Sequence, residues 1–194
     1  MVTAASPLDA NDTRHTILRI ARELIQTRSY QGLSFQELAD RVGIRKASLY
    51  HHFASKEALG VAVIARALEM FERWRAAQEG LPPQQQLLAY IAMFRDKVGA
   101  GERMCPGGAM SAGWDCLEPG LQETVKNMHQ QQLWWLAKIA GQLPTVKSEA
   151  QAQAFAANIN AVCQGGLLVS RVNGSVDHFD LATEPIVSQL RALG

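Results

Sequence analysis

Residues 34–59, SFQELADRVGIRKASLYHHFASKEAL, constrain the fold of this chain more than any other stretch. Ser34-Phe35-Gln36-Glu37 reads as a capping box. The Ser34 hydroxyl is expected to accept from the amide of Glu37, and the Glu37 carboxylate to reach back to the amide of Ser34. Phe35, Leu38 and Val42 then form one apolar face at helical spacing. Gly43 stands where that helix must stop, because glycine enters the left-handed conformation at little cost. Ile44 plugs the space behind it. Arg45, Lys46, Ala47 and Ser48 open a second helix whose Leu49 and Phe53 point inward, with Tyr50, His51 and His52 around the outer side. Ser55 is an N-cap for a third helix, with Lys56 and Glu57 in its first turn. Two short helices about a tight turn are the build that lays a second helix in the major groove of DNA.

Charge points the same way. Between positions 41 and 56 there are four cationic side chains, Arg41, Arg45, Lys46 and Lys56, and no acidic one, on a chain whose net charge is only +1. A local positive field on a near-neutral protein suits a phosphate-facing surface. The competing reading is a capped helical hairpin with a solvated basic face, which periodicity alone does not separate from a DNA-binding one.

The remainder predicts an all-α protein. Residues 1–12 read as a flexible arm. A first helix over 13–27 turns Ile17, Ala21, Leu24 and Ile25 inward. A long helix over 55–78, with Leu59, Val63, Leu68 and Phe71, joins the DNA-binding unit to the C-terminal helices. Gly80, Pro82 and Pro83 break it, and a helix over 83–98 carries Leu87, Tyr90, Ile91 and Phe94. Gly99, Ala100 and Gly101 end that one. Pro119 opens a helix over 119–142, Ser148 caps one over 149–172, and a last amphipathic helix covers about 180–193. The expected organisation is a helix-turn-helix domain at 13–54 and a helical C-terminal domain at 55–194. The helices over 119–142 and 149–172 have broad apolar faces: Leu133, Trp134, Leu136, Ala137 and Ile139 on the first, and Phe155, Ile159, Val162, Gly166, Leu167 and Val169 on the second. The small residues Ala156, Ala157, Ala161 and Gly165 permit close helix approach. Within one subunit these faces are ordinary core. In a two-fold dimer they would pair with their copies as a four-helix bundle.

At 194 residues, 47% hydrophobic and 19% charged, the chain is that of a folded globular protein with room for one or two domains. No run of about 18 apolar residues suggests a membrane span. The opening MVTAASPLDANDTRH has no basic segment followed by an apolar one, so no secretory leader is expected. Cys105, Cys116 and Cys163 are odd in number and unevenly spaced, which favours reduced thiols and a cytoplasmic location. No metal-ligand spacing occurs, and no cofactor is expected.

Residues 100–120, AGERMCPGGAMSAGWDCLEPG, hold the sensor candidates. Proline is favoured at a first helical position, so Cys105 before Pro106 reads as an N-cap facing the positive end of a helix dipole, two residues after Arg103. Both influences favour thiolate. Cys116 could act as a resolving thiol if the fold brings it near. The alternative is that Cys105 is a small buried hydrophobe, as most cysteines are, and the same holds for Cys163. A non-covalent pocket is a further reading: Trp74, Tyr90, Met93, Phe94, Met110, Trp114, Trp134 and Trp135 are spread over helices that would enclose a cavity, although each would serve equally as core. Few charges lie among them, which favours a neutral or aromatic ligand over a highly charged one. Catalysis with Cys105 as nucleophile lacks a base: His15, His51 and His52 belong to the DNA-binding unit, His178 to a late loop, and His129 alone to a core helix. An enzyme is not expected. A helical protein-interaction module would account for the helices but not for the acid-free basic run.

The run from Gly43 to Phe53, GIRKASLYHHF, followed by Ser55-Lys56-Glu57-Ala58-Leu59, resembles the signature of the tetracycline-repressor (TetR) family. The likeness extends upstream through Thr13-Arg14-His15-Thr16-Ile17-Leu18, Ala21 and Leu24 and covers about a quarter of the chain. It implies a homodimeric all-α repressor of a near-palindromic double-stranded operator, released by a small effector bound in a variable C-terminal domain. Carried over by position, it implies that Ser34 faces DNA and that Gln36 makes a base-edge or phosphate contact. Arg45, Lys46 and Ala47 fall at the groove-facing start of the recognition helix, where Arg or Lys would pair with guanine and the Ala47 methyl would meet a thymine methyl. Ser48, Tyr50, His51, His52 and Lys56 would hold phosphates. Arg45 departs from the pattern, since many relatives carry a small N-cap hydroxyl there. Residues 100–120 also resemble the thiol-sensing, electrophile-responsive branch of the family, which places a single cysteine at this point.

Overall fold

A computed structural model describes residues 10–98 and 101–193. Residues 1–9 of the expected arm, and Gly99 and Ala100, lie outside that range. Residues 10–12 are already helical: α1 runs Ala10–Arg28. It is followed by α2 (Phe35–Val42), α3 (Lys46–His52), α4 (Lys56–Ala76), α5 (Pro83–Val98), α6 (Pro106–Ser111), a single 3-10 turn Trp114–Cys116, α7 (Pro119–Ala140), α8 (Glu149–Asn173) and α9 (Asp177–Arg191). No strand occurs among the described residues, so the all-α expectation holds. The short α6 and the 3-10 turn fall where the sequence suggested only a candidate N-cap.

Local chemistry sets most of the boundaries. Ser55 Oγ accepts from the amide of Ala58 at 3.0 Å and Ser148 Oγ from that of Gln151 at 3.2 Å. Pro83, Pro106 and Pro119 each occupy the first position of a helix, where the missing N–H costs nothing. α9 continues through Pro185. The carbonyl left without its helical donor belongs to Leu181, on the exposed side, where water can reach it.

Neither expected bond of the capping box forms at α2, although Ser34 still caps the helix. Ser34 Oγ accepts from the amide of Gln36 at 3.2 Å, and Glu37 does not reach back. Its carboxylate instead takes the Arg28 guanidinium at 2.7 Å and that of Arg41 at 3.1 Å. Two guanidinium partners outcompete one backbone amide for a carboxylate. Gly43 has φ +80°, and its amide returns to the carbonyls of Ala39 and Asp40. Nothing lies within 4 Å of a Cβ added there, so a substitution would feel backbone strain alone. Gly43→Ala is expected to cost about 1 kcal/mol, a fall in melting temperature of about 2–4 °C for a chain of this size. An unchanged melting curve would show that the α2–α3 turn relaxes at no cost.

Buried side chains form two clusters. The first joins α1, α2 and α3 through Ile17, Leu24, Leu38, Leu49 and Phe53, and continues into Leu59, Val63 and Ile64 of α4, Met110 of α6 and Leu121 of α7. The second is built from Phe71, Tyr90, Phe94, Trp135, Ile159, Cys163 and Phe179. A core therefore runs across the expected boundary at position 54, because the first half of α4 packs with the N-terminal helices and the second half with α5 and α7. The α4–α7 crossing is close at Gly60, where a Cβ would stand 2.9 Å from both Leu121 Cδ2 and Tyr30 Cε2.

Candidate nucleic-acid interface and effector cavity

α3 turns Leu49 and Phe53 into the first core and presents the rest of its surface outward. Arg45, Lys46, Ala47, Tyr50 and His51 are exposed, and Ser48 and His52 are half-buried. Arg45 is the N-cap, with extended backbone and no side-chain cap bond, so the helix begins at Lys46. The Tyr50 ring rests on Phe35, with centroids 5.2 Å apart, which stiffens the outer face of α3 against α2.

The four cations of the basic run separate into two kinds. Arg41 is paired with Glu37 and lies 3.9 Å from Glu23. Lys56 Nζ donates to the Gln31 carbonyl at 3.3 Å and sits 4.7 Å from the centroid of the Tyr30 ring, and burial lowers its pKa. Among the described residues, no carboxylate comes within 4 Å of Arg45 or Lys46. Gln36 donates to Asp40 Oδ1 at 2.9 Å, so its amide is held along α2.

The sensor candidates do not form one site. Tyr90 is fully buried, donates to Asn160 Oδ1 at 3.2 Å and sits among Phe71, Trp74, Phe94 and Trp135, with centroids 5.0–6.3 Å apart. Burial raises its phenol pKa well above the usual value. Met110 and Trp114 belong to the first core or pack against it, because α6 folds back onto α1. Trp134 is 56% exposed on α7. Cys116 is exposed in the 3-10 turn, and Cys163 is buried in α8, where burial pushes its thiol up to about 12 and keeps it protonated at neutral pH. Only Phe94 and Cys105, with Met93, line a common cavity.

That cavity, of about 250 Å³, lies between α1, α4, α5, α7, α8 and the chain segment 103–106. Its apolar wall comprises Ala67, Met70, Phe71, Met93, Phe94, Met104, Pro106, Met128 and Leu167, with Cys105 half-buried among them. The expectation of few charges does not hold, since Arg22, Asp96 and Arg103 also line it, with Gln26 and Gln132. Residue spacing gave no sign of Arg22, because α1 looked complete as a DNA-domain helix. The one available signal was a polar row, Arg22 and Gln26, running beside the inward Ala21 and Ile25.

The cavity wall is tied to α1. The Met104 amide donates to the Gln26 carbonyl at 3.0 Å, and Gln26 Nε2 donates to the Met104 carbonyl at 2.9 Å. Arg171 of α8 reaches the same place, donating to the carbonyls of Gln26 at 3.0 Å, Glu102 at 2.9 Å and Thr27. A second joint links Tyr30 Oη to Glu118 Oε2, at the start of α7, at 3.1 Å.

α8 carries an exposed apolar strip, whereas the exposed side chains of α7 beyond its first turn are polar apart from Trp134. Leu168 is 54% and Val172 78% exposed, with Val169 beside them, and Gly165, Ala161, Ala157 and Ala154 continue the surface along α8 toward its start, where Trp134 of α7 lies near Ala157. Leu136, Ile139, Ile159, Gly166 and Leu167 instead face the subunit interior. No group of three or more His, Cys, Asp or Glu among the described residues is placed to hold a metal, and no described helix is long and apolar enough to cross a membrane.

A capped helix pair with an outward basic recognition helix defines a helix-turn-helix DNA-binding regulator. The model of the bacterial regulatory proteins of the tetR family matches residues 17–63. The HTH-type transcriptional regulator UidR of Escherichia coli K12 is 27% identical over 190 residues, 95% of this chain and 92% of that protein. The HTH-type transcriptional repressor NemR of the same organism is 39% identical over 56 residues, 29% of this chain and 28% of its own length. A TetR-family regulator from Agrobacterium tumefaciens superposes with a TM-score of 0.84 at 25% identity, over 93% of this chain and 98% of that one. Residues 17–63 thus form a TetR-type DNA-binding domain, and the likenesses support a transcription regulator of that kind, a class of proteins that are not enzymes.

Proposed function

We infer that the protein is a homodimeric repressor that leaves its operator when a small effector occupies the cavity. The observation that carries this reading is the pairing of an outward α3, holding Arg45 and Lys46 clear of any carboxylate, with a cavity whose wall is hydrogen-bonded to α1. In this reading residues 13–54 bind DNA, and 55–194 bind the effector and pair the subunits. Arg45, Lys46 and Ala47 meet base edges. Ser34, Gln36, Ser48, Tyr50, His51 and His52 approach the backbone, with Lys56 at its margin. α7 and α8 form a four-helix bundle with their copies, and the two-fold axis makes the operator near-palindromic. Repression follows the mode named for NemR. Release is a population shift: a ligand that displaces Met104 shifts Gln26, and with it α1, so that the two recognition helices no longer fit one face of the duplex.

Cys105 favours a second reading, because it stands half-buried on the cavity wall. An activated alkene entering there would add the sulfur at its β-carbon, with the thiol proton ending on the α-carbon and no oxidant required.

Fluorescence anisotropy on duplex DNA from upstream of the protein's own gene tests both. Tight, salt-sensitive binding is expected. Lys46→Ala should weaken operator binding by about 1–3 kcal/mol and relax specificity at the base it meets; a protein-interaction module would be indifferent to it. Loss of binding on treatment with an electrophile, in the wild type but not in Cys105→Ser, would establish the covalent route. Binding that persists in both would leave the non-covalent one.

A further inference from the structure

Arg22 has the wrong partners for a half-buried guanidinium. Its Nη1 donates to Met70 Sδ at 3.1 Å, and a thioether is a weak acceptor. Among the described residues no carboxylate lies within 4 Å of it. Four other arginines are matched: Arg28 with Glu37, Arg66 with Glu69, Arg95 with Asp180, and Arg171 with three carbonyls. The surroundings of Arg22 are of its own sign. Burial lowers its pKa, and Arg103, Arg66 and Arg19 lower it further, against Glu23 alone. A second groove, lined by His15, Arg19, Arg22, Arg66 and Met70, adjoins the cavity along Arg22 and extends this cationic field outward. A guanidinium half withdrawn from water and without a carboxylate partner can take up an anion.

Other lining groups narrow the ligand. Gln132 is 6% exposed and lines the cavity, which places its amide to meet a second polar atom. Phe71, Phe94, Met93, Met104 and Met128 supply an adaptable apolar wall. The volume of about 250 Å³ exceeds the roughly 150 Å³ that holds a benzene ring. It therefore takes one ring with a short tether, or an acyl chain of similar bulk. Asp96 on the cavity wall and Glu23 beside Arg22 limit the net positive charge, which disfavours a dianion.

We propose that the cavity binds apolar carboxylic acids as their monoanions, with the carboxylate on the Arg22 guanidinium and Arg103 at the entrance, and the apolar body against Phe71, Phe94 and the methionines. This deepens the effector reading above and rests on it for its regulatory meaning, but not for binding itself.

Calorimetry with full-length protein tests it, using benzoate, 3-phenylpropanoate and octanoate, each beside its matched alcohol. At least one carboxylate should bind tenfold or more tighter than its alcohol and raise the melting temperature. Arg22→Gln should bring that ratio near one while leaving the alcohol's affinity unchanged, and Arg22→Lys should restore part of it. Operator binding by unliganded Arg22→Gln and Arg22→Lys verifies that both are folded. Alcohols that match their acids in the wild type, or a carboxylate preference that survives Arg22→Gln, would overturn the proposal. So would the failure of every probe to bind. Carboxylate binding that depends on Arg22 but leaves operator affinity unchanged would uphold this inference and overturn the effector reading instead.

Discussion

Leu168→Glu is expected to split the dimer and to weaken operator binding by roughly 100-fold or more, because two half-site contacts are then no longer joined at high effective concentration. Leu168 is more than half exposed in the single subunit, on a strip of α8 that runs through Ala161 and Gly165 to Val172. A glutamate there would cost the isolated chain little. In a two-fold interface it appears twice and faces its own copy or the apolar strip of the partner, so its carboxylate is buried without a counter-charge. Sedimentation should therefore report monomers whose far-UV circular dichroism matches the wild type, and anisotropy should report weak half-site binding. A Leu168→Glu protein that remains dimeric with undiminished operator affinity would remove α8 from the interface.

The largest effect on stability should come from Tyr90. Tyr90→Ala deletes a fully buried ring that touches Phe71, Trp74, Phe94 and Trp135 and holds Asn160. Such truncations cost about 3–5 kcal/mol. Tyr90→Phe keeps the ring and removes only the hydroxyl, leaving Asn160 Oδ1 short of a donor, at about 1–3 kcal/mol. Denaturant unfolding at fixed protomer concentration should rank wild type above Tyr90→Phe above Tyr90→Ala. An equal loss in both variants would place the energy in the Tyr90–Asn160 bond, and a negligible loss in both would mean that the aromatic cluster repacks.

What could be read from the chain and what could not divide along sequence separation. The α2–α3 unit was legible because its determinants are local: a cap at Ser34, a left-handed Gly43, and Leu49 and Phe53 four apart on one face. The helices bounded by Ser55, Pro83, Pro119 and Ser148 were legible for the same reason. The cap at Glu37 was misjudged because its competitors, Arg28 and Arg41, include a residue from the preceding helix. The cavity was harder still. Met110 and Trp114 looked like lining residues until α6 folded back onto α1. Arg22 looked like surface of the DNA-binding unit, yet it meets Met70 across 48 positions. Periodicity tells which face of a helix is apolar; it does not tell which other helix arrives to cover it.

The pair of hydrogen bonds between Gln26 and Met104 works in both directions. If filling the cavity loosens the protein from its operator by some factor, equilibrium linkage requires the operator to loosen the ligand by the same factor, typically about 5- to 150-fold. A molecule seated on DNA is then a poorer receptor than the same molecule in bulk. An affinity measured without DNA would overstate how readily the gene is switched on. Each promoter, through the tightness with which it holds this protein, would set the dose of ligand to which it answers.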